Sequence, residues 1–200
     1  MLATLTRETI QPQAERGALR AHWTGETNGG RSEVLHYEQH GNARSVEGVI
    51  AGAHVGEPFA LTYRCLMDLA WSVRLFEVRP LGAAEPTRLH SDGAGRWTEG
   101  HGVPLDELQG CTDLEFGETA FTLTPIIRRL GLSAGESADL DLVSLSAAEM
   151  IPVRVQRRLT CVQPLSIYRT EDVETGERVE VSVDRDGFVT AFPRRFLRLA

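Results

Sequence analysis

Every second residue from Phe59 to Met67 is apolar: Phe59, Leu61, Tyr63, Cys65 and Met67, with Thr62 and Arg64 among those between. Side chains on an extended backbone point alternately to opposite faces, so this spacing specifies a strand with one packed and one wetter side. The rhythm returns at Ile151, Val153 and Val155, then Leu159 and Cys161, with Arg154, Gln156, Arg158 and Thr160 opposite. Val179, Val181 and Val183 repeat it. Turn-forming clusters separate these runs: Asn28-Gly29-Gly30, His40-Gly41-Asn42, Ser91-Asp92-Gly93, Glu174-Thr175-Gly176 and Arg185-Asp186-Gly187. All supply residues that tolerate positive φ. Many short strands joined by hairpins predict a mainly β, antiparallel sheet, curled or closed.

Helical signals are few. Thr122 to Leu130 reads as one short helix, with Pro125 in its first turn and Gly131 as its stop, or equally as an extended connector. Asp106 to Leu108 reads as a single turn. Gly and Pro are scattered rather than clustered, so no linker is evident. The expected organisation is a polar extension over 1–20 and a single β domain over 21–200. Tyr63-x4-Asp68-x2-Trp71 and Val179-x4-Asp184-x3-Phe188 form a weak internal echo, which ordinary hairpin grammar also explains.

The 200 residues carry 21 basic and 28 acidic side chains, a net charge of −7. That balance opposes a nucleic acid or an anionic membrane surface as the main partner, since both need a positive field. All the basic residues are Arg; the absence of Lys excludes a Walker-type phosphate loop, a Schiff-base enzyme and a Lys general base. No stretch approaches the ~20 apolar residues of a membrane-spanning helix, and the first 20 residues lack the apolar centre of a secretory signal. The expected compartment is the cytoplasm. Cys65, Cys111 and Cys161 are odd in number and far apart, which fits buried thiols rather than a disulfide framework.

Catalytic and metal motifs find little support. His36 and His40 share a strand face but lie roughly 13 Å apart, too far for one ion. There is no Gly-x-Ser-x-Gly elbow and no Cys beside a His. Acidic pairs such as Asp139 and Asp141 read as solvated strand edges. No enzyme activity, metal or cofactor is expected. Gly48, Gly52 and Gly56 recur every fourth residue, on one face of a strand, where a bulky side chain or a ligand could lie against them.

The aromatics and a double arginine are better clues. Trp23, Trp71 and Trp97 each combine a large apolar body with an N–H that needs a partner, suited to a core rim or an amphipathic ligand. Arg128-Arg129 follows Ile126-Ile127, and an arginine fork recognises carboxylate or phosphate at two points. The competing assignment pairs one of these arginines with a structural Asp, with Asp113 the obvious candidate.

Gly110-Cys111-Thr112-Asp113-Leu114-Glu115-Phe116, running on to Ile127-Arg128-Arg129-Leu130, resembles the signature of the putative glycolipid-binding family, formerly a domain of unknown function. The resemblance takes in Trp23-Thr24-Gly25, Glu33, Tyr63, Asp68, Trp71, Trp97, Gly135-Glu136-Ser137, Asp184, Gly187-Phe188-Val189 and Phe192-Pro193. It implies a long, strongly curved antiparallel sheet forming a partial barrel with one or two short helices, shaped like bacterial lipoprotein carriers. It also implies a concave face that accepts an acyl chain or another amphipathic molecule. Two positions depart from the family pattern: Leu123 stands where an Asn is usual, and Leu159 where a Tyr is usual.

The expected function is therefore non-enzymatic binding of an amphipathic or lipid-like ligand in the concavity. Trp23, Trp71 and Trp97 would form apolar walls, and Arg128 and Arg129, with Asp113 beside them, would neutralise an anionic head. The alternative is a protein–protein interaction module, a homodimer among the options, in which the same sheet holds no small molecule. A hydrolase working through scattered carboxylates ranks last. The binding reading requires a hollow that the protein's own side chains leave open.

Overall fold

The computed structural model describes residues 18–25, 30–54 and 57–199. Among these, fifteen strands, one α-helix and one 3-10 turn follow in order. The strands are β1 (Ala18–Gly25), β2 (Arg31–His40), β3 (Ala43–His54), β4 (Glu57–Asp68), β5 (Val73–Pro80), β6 (Thr87–Ser91), β7 (Trp97–Glu99) and β8 (Val103–Pro104). After the 3-10 turn at Asp106–Leu108 come β9 (Asp113–Phe116) and the helix α1 (Leu123–Leu130). The chain ends in β10 (Ser137–Leu145), β11 (Val153–Gln163), β12 (Ile167–Asp172), β13 (Arg178–Val183), β14 (Val189–Phe192) and β15 (Phe196–Arg198). Strand β1 thus begins within the expected 1–20 extension, most of which lies outside the described residues, as do Asn28, Gly29 and Gly56.

All the strands belong to one sheet, ordered β8-β7-β6-β5-β4-β3-β2-β1-β15-β14-β13-β12-β11-β10-β9. It is curved but not closed into a barrel. Neighbours in sequence pair antiparallel along each arm, and the arms meet at a seam where Trp23 faces Arg198 and Thr24 faces Leu197. The parallel pair is β9 with β10. A parallel pair needs a crossover, and α1 supplies it.

Helix α1 forms where the sequence predicts it. Pro125 lies in the first turn, where it forfeits no helical hydrogen bond, and Gly131 ends the helix at φ 55° with its N–H on the Ile127 carbonyl. Thr124, Pro125, Ile126 and Ile127 are buried, so the helix sits inside the curve of the sheet. The β9 edge turns inward as well. Leu114 and Phe116 lie on one face of β9, Asp113 and Glu115 on the other. The Phe116 ring lies 5.3 Å from that of Phe76 and 6.2 Å from that of Tyr63, both on the inner face of the first arm. The sheet is thereby rolled like a scroll, its inner edge and α1 packed into its own concavity.

The alternation identified in the sequence supplies that packing. Leu61, Tyr63, Cys65 and Met67 of β4 are all buried, as are Leu159 and Cys161 of β11 and Val181 and Val183 of β13. Gly48 faces Tyr63 across the β3–β4 pair, and a Cβ there would lie 2.1 Å from Tyr63 Cε1. Of the two options for this glycine, a bulky side chain occupies the space.

The echoed Asp turns share one geometry. Asp68 Oδ1 accepts the N–H groups of Ala70 and Ser72, and Asp184 Oδ1 those of Asp186 and Phe188. Asp92 does the same for Ala94 and Arg96 outside the echo, which marks the pattern as recurring loop grammar.

Candidate ligand-binding site

The packing of α1 against the first arm leaves the second arm less completely filled. Between α1 and the inner face of β10–β13 lies a cavity of 360 Å³. Leu123 and Ile126 of α1 face it from one side, Leu140, Leu142, Leu159 and Val179 from the sheet. These residues share the cavity because they share a face: Leu140 pairs with Arg157, and Leu159 with Thr170, in antiparallel register. Phe192 and Phe196 close one end, their rings 6.3 Å apart and edge to face.

Polar groups make up as much of the lining as these apolar ones, Glu177 among them. Arg157 is clamped in place: its Nε and Nη2 donate to Glu115 at 3.1 and 3.2 Å, and its Nη1 donates to Asp172 at 2.6 Å. Asp172 Oδ1 accepts the N–H groups of Glu174 and Thr175, which holds its carboxyl below the usual range together with the nearby guanidinium. Thr119, Thr122 and Thr170 add hydroxyls, and Arg195 lines the cavity from the β14–β15 turn.

Thr119 also reaches behind the wall. Its hydroxyl donates to Glu33 Oε1 at 2.6 Å, and the Tyr63 hydroxyl donates to the same oxygen at 2.5 Å. Glu33 is 1 % exposed, and its Oε2 has no hydrogen-bond partner. Burial pushes its carboxyl up to about 7, against the lowering effect of those two hydroxyls. Glu118, one residue before Thr119, is raised by burial too.

The residues singled out in the sequence take other positions. Trp23 donates its indole N–H to the Val189 carbonyl at 2.8 Å, which ties β1 to β14 across the seam. Trp97 donates to the Cys111 carbonyl at 2.7 Å. Trp71 occupies a tight turn at φ 66°, stacked on Tyr37, with Arg44 and Arg128 over its ring at 4.4 and 5.3 Å. Arg129 forms a two-point ion pair with Asp113, the assignment that competed with ligand recognition. None of these six residues lines the 360 Å³ cavity.

Leu123 and Leu159, the two departures from the family pattern, both do. Sequence reasoning passed over Arg157, Arg195 and Thr119, because cavity neighbours come from strands far apart in the chain. One signal was available: Phe192-Pro193-Arg194-Arg195-Phe196 brackets a second double arginine with aromatics.

The geometry is thus an open, scrolled β-sheet with an internal helix and a lateral cavity of mixed polarity. The model of the family described as putative glycolipid-binding matches residues 20–198. The chain belongs to this family. It is also similar to a DUF1089 family protein from Pseudomonas aeruginosa known from a crystal structure, at 26% identity and a TM-score of 0.77. That similarity covers 97% of this chain and 100% of the other. No curated protein matches it. Among the described residues, no helix is long and apolar enough to cross a membrane.

Proposed function

We propose that this protein is a non-enzymatic carrier or sensor of a small amphipathic, lipid-like molecule, held between α1 and the second arm of the sheet. The observation that carries the reading is the 360 Å³ cavity, with Leu and Val on its walls and polar groups among them. It supports a family description that names glycolipid binding. Ligand cavities span about 300–1,000 Å³, so this one is near the small end. A single chain or a single ring system fits such a space; both tails of a two-chain lipid do not.

Native mass spectrometry of gently purified protein and displacement of a fluorescent fatty acid test the reading together. The expected result is a co-purified or displaceable ligand at micromolar protein, lost in Val179→Trp, which places an indole in the cavity at a half-buried position. Absence of any ligand by both methods overturns the reading. If that protein were also dimeric by light scattering, the rival interaction-module reading would take its place.

A further inference from the structure

The described chain neutralises most of its arginines. Arg129, Arg154, Arg157, Arg158, Arg178 and Arg198 all hold carboxylates at hydrogen-bond distance. Arg31 and Arg195 are among the described arginines that form no ion pair, as are Arg20, Arg44, Arg79, Arg96 and Arg128, and what distinguishes them is where they meet. The charge of Arg195 acts against that of Arg31, while Glu118 acts in its favour more strongly. Both converge on Gly117: Arg195 lines the cavity with it, and Arg31 reaches it from behind the lining. Arg31 Nη1 donates to the Gly117 carbonyl at 3.3 Å, and Arg195 Nη2 lies 4.0 Å from where a Gly117 Cβ would be.

The two phenylalanines that close the cavity hold these arginines. The Arg31 guanidinium lies 5.9 Å from the Phe196 ring centroid and 5.7 Å from that of Phe59. The Arg195 guanidinium lies 5.0 Å from that of Phe192. Stacking on a ring face fixes the plane of a guanidinium while leaving its edge N–H groups free to donate. An anion placed between the two guanidiniums would accept from both at once, the geometry in which charge-assisted hydrogen bonds are strongest. Glu118 interacts with both arginines over a distance and forms an ion pair with neither, so their N–H groups are not taken up by it.

We infer that Arg31 and Arg195 form an anion subsite at the Phe192–Phe196 end of the cavity, so that the ligand is an amphipath with one anionic group, carboxylate or phosphate, on a single apolar tail. This inference rests on the cavity being the binding site. Gly117 contributes by leaving room: no atom outside its chain neighbours comes nearer than 4.0 Å to its missing Cβ. Arg157 cannot take the same role, since Glu115 and Asp172 already occupy its donors.

The test compares decanoate, decyl phosphate, decanol and inorganic phosphate by titration calorimetry on the full chain. The expected result is that the wild type binds decanoate and decyl phosphate at least ~10-fold more tightly than decanol, the scale of a charge-assisted hydrogen bond. Arg195→Gln, at an exposed position, lowers decanoate affinity to that of decanol, and Arg31→Gln acts in the same direction. Arg158→Gln, which removes only the partner of exposed Asp139, leaves the preference unchanged. Decanol binding as tightly as decanoate in the wild type overturns the anion subsite and spares the cavity reading. No binding of any tailed probe overturns both. Inorganic phosphate binding as tightly as decyl phosphate overturns the amphipath in favour of a free small anion.

Discussion

The Tyr63 hydroxyl donates to Glu33 Oε1 at 2.5 Å in the middle of the inner face, where neither side chain meets solvent. Glu33 is paired with hydroxyls rather than with a base, and burial raises its carboxyl to about 7 from an ordinary value of 4.5. A carboxyl raised on folding binds its proton more tightly in the folded state. Its stabilising effect is full below the unfolded value, falls as pH rises through about 7, and is gone above it. The difference is at most about 3 kcal/mol.

Urea midpoints of the wild type should therefore drop between pH 5 and pH 8. Glu33→Gln keeps an oxygen for both hydroxyls, places an NH₂ where Oε2 is orphaned, and should make that slope shallower, the remainder belonging to Glu118, whose carboxyl burial raises as well. Equal slopes for the two proteins would contradict a neutral buried carboxyl. Asp139, Asp141 and Asp172 have lowered values and act only at more acid pH, outside this window.

Gly48→Ala should destabilise the protein by about 3 kcal/mol, because the new methyl drives into the Tyr63 ring and that ring carries the bond to Glu33. Chemical denaturation measures the loss. Combining it with Tyr63→Val frees the space, so the double variant should lose clearly less than the sum of the two single ones. Strict additivity would show that the close approach is relieved in some other way.

Asp113→Asn should cost about 2–3 kcal/mol, measured in the same way. It leaves the Arg129 guanidinium without its two-point partner, and Asp113 is only 2 % exposed. Asp139→Asn removes an equally well-formed partner of Arg158 in full solvent and should change stability little. If both variants were neutral, Arg129 would have another function than holding β9 to α1.

Much of this architecture is legible in the sequence because alternation and turn chemistry are local. Phe59–Met67 and Val179–Val183 announce their strands and inner faces directly, and Pro125 with Gly131 marks both ends of α1. In the Ile151–Cys161 run only Leu159 and Cys161 are buried, while Ile151 and Val153, near the loop that leads into β11, stay exposed. The hairpins already implied a sheet curled or closed, and the family resemblance implied which of the two, a partial barrel. The site was harder to see for a physical reason. Its walls come from α1, β9–β13 and the β14–β15 turn, elements spread over more than eighty residues of the chain. Spacing along the chain carries no record of that convergence. The conspicuous tryptophans instead satisfy main-chain carbonyls: Trp23 that of Val189, Trp97 that of Cys111.

The seam between β1 and β15 has a consequence for biosynthesis. Trp23 and its acceptor at Val189 are 166 positions apart, so β1 emerges from the ribosome long before its partner exists. Until residues 189–198 follow, the first arm has an unpaired border strand and the innermost tryptophan an unmet donor, a condition that invites association between nascent chains. Closure of this seam is thus a late event, governed by residues 189–198 rather than by the first long hairpins.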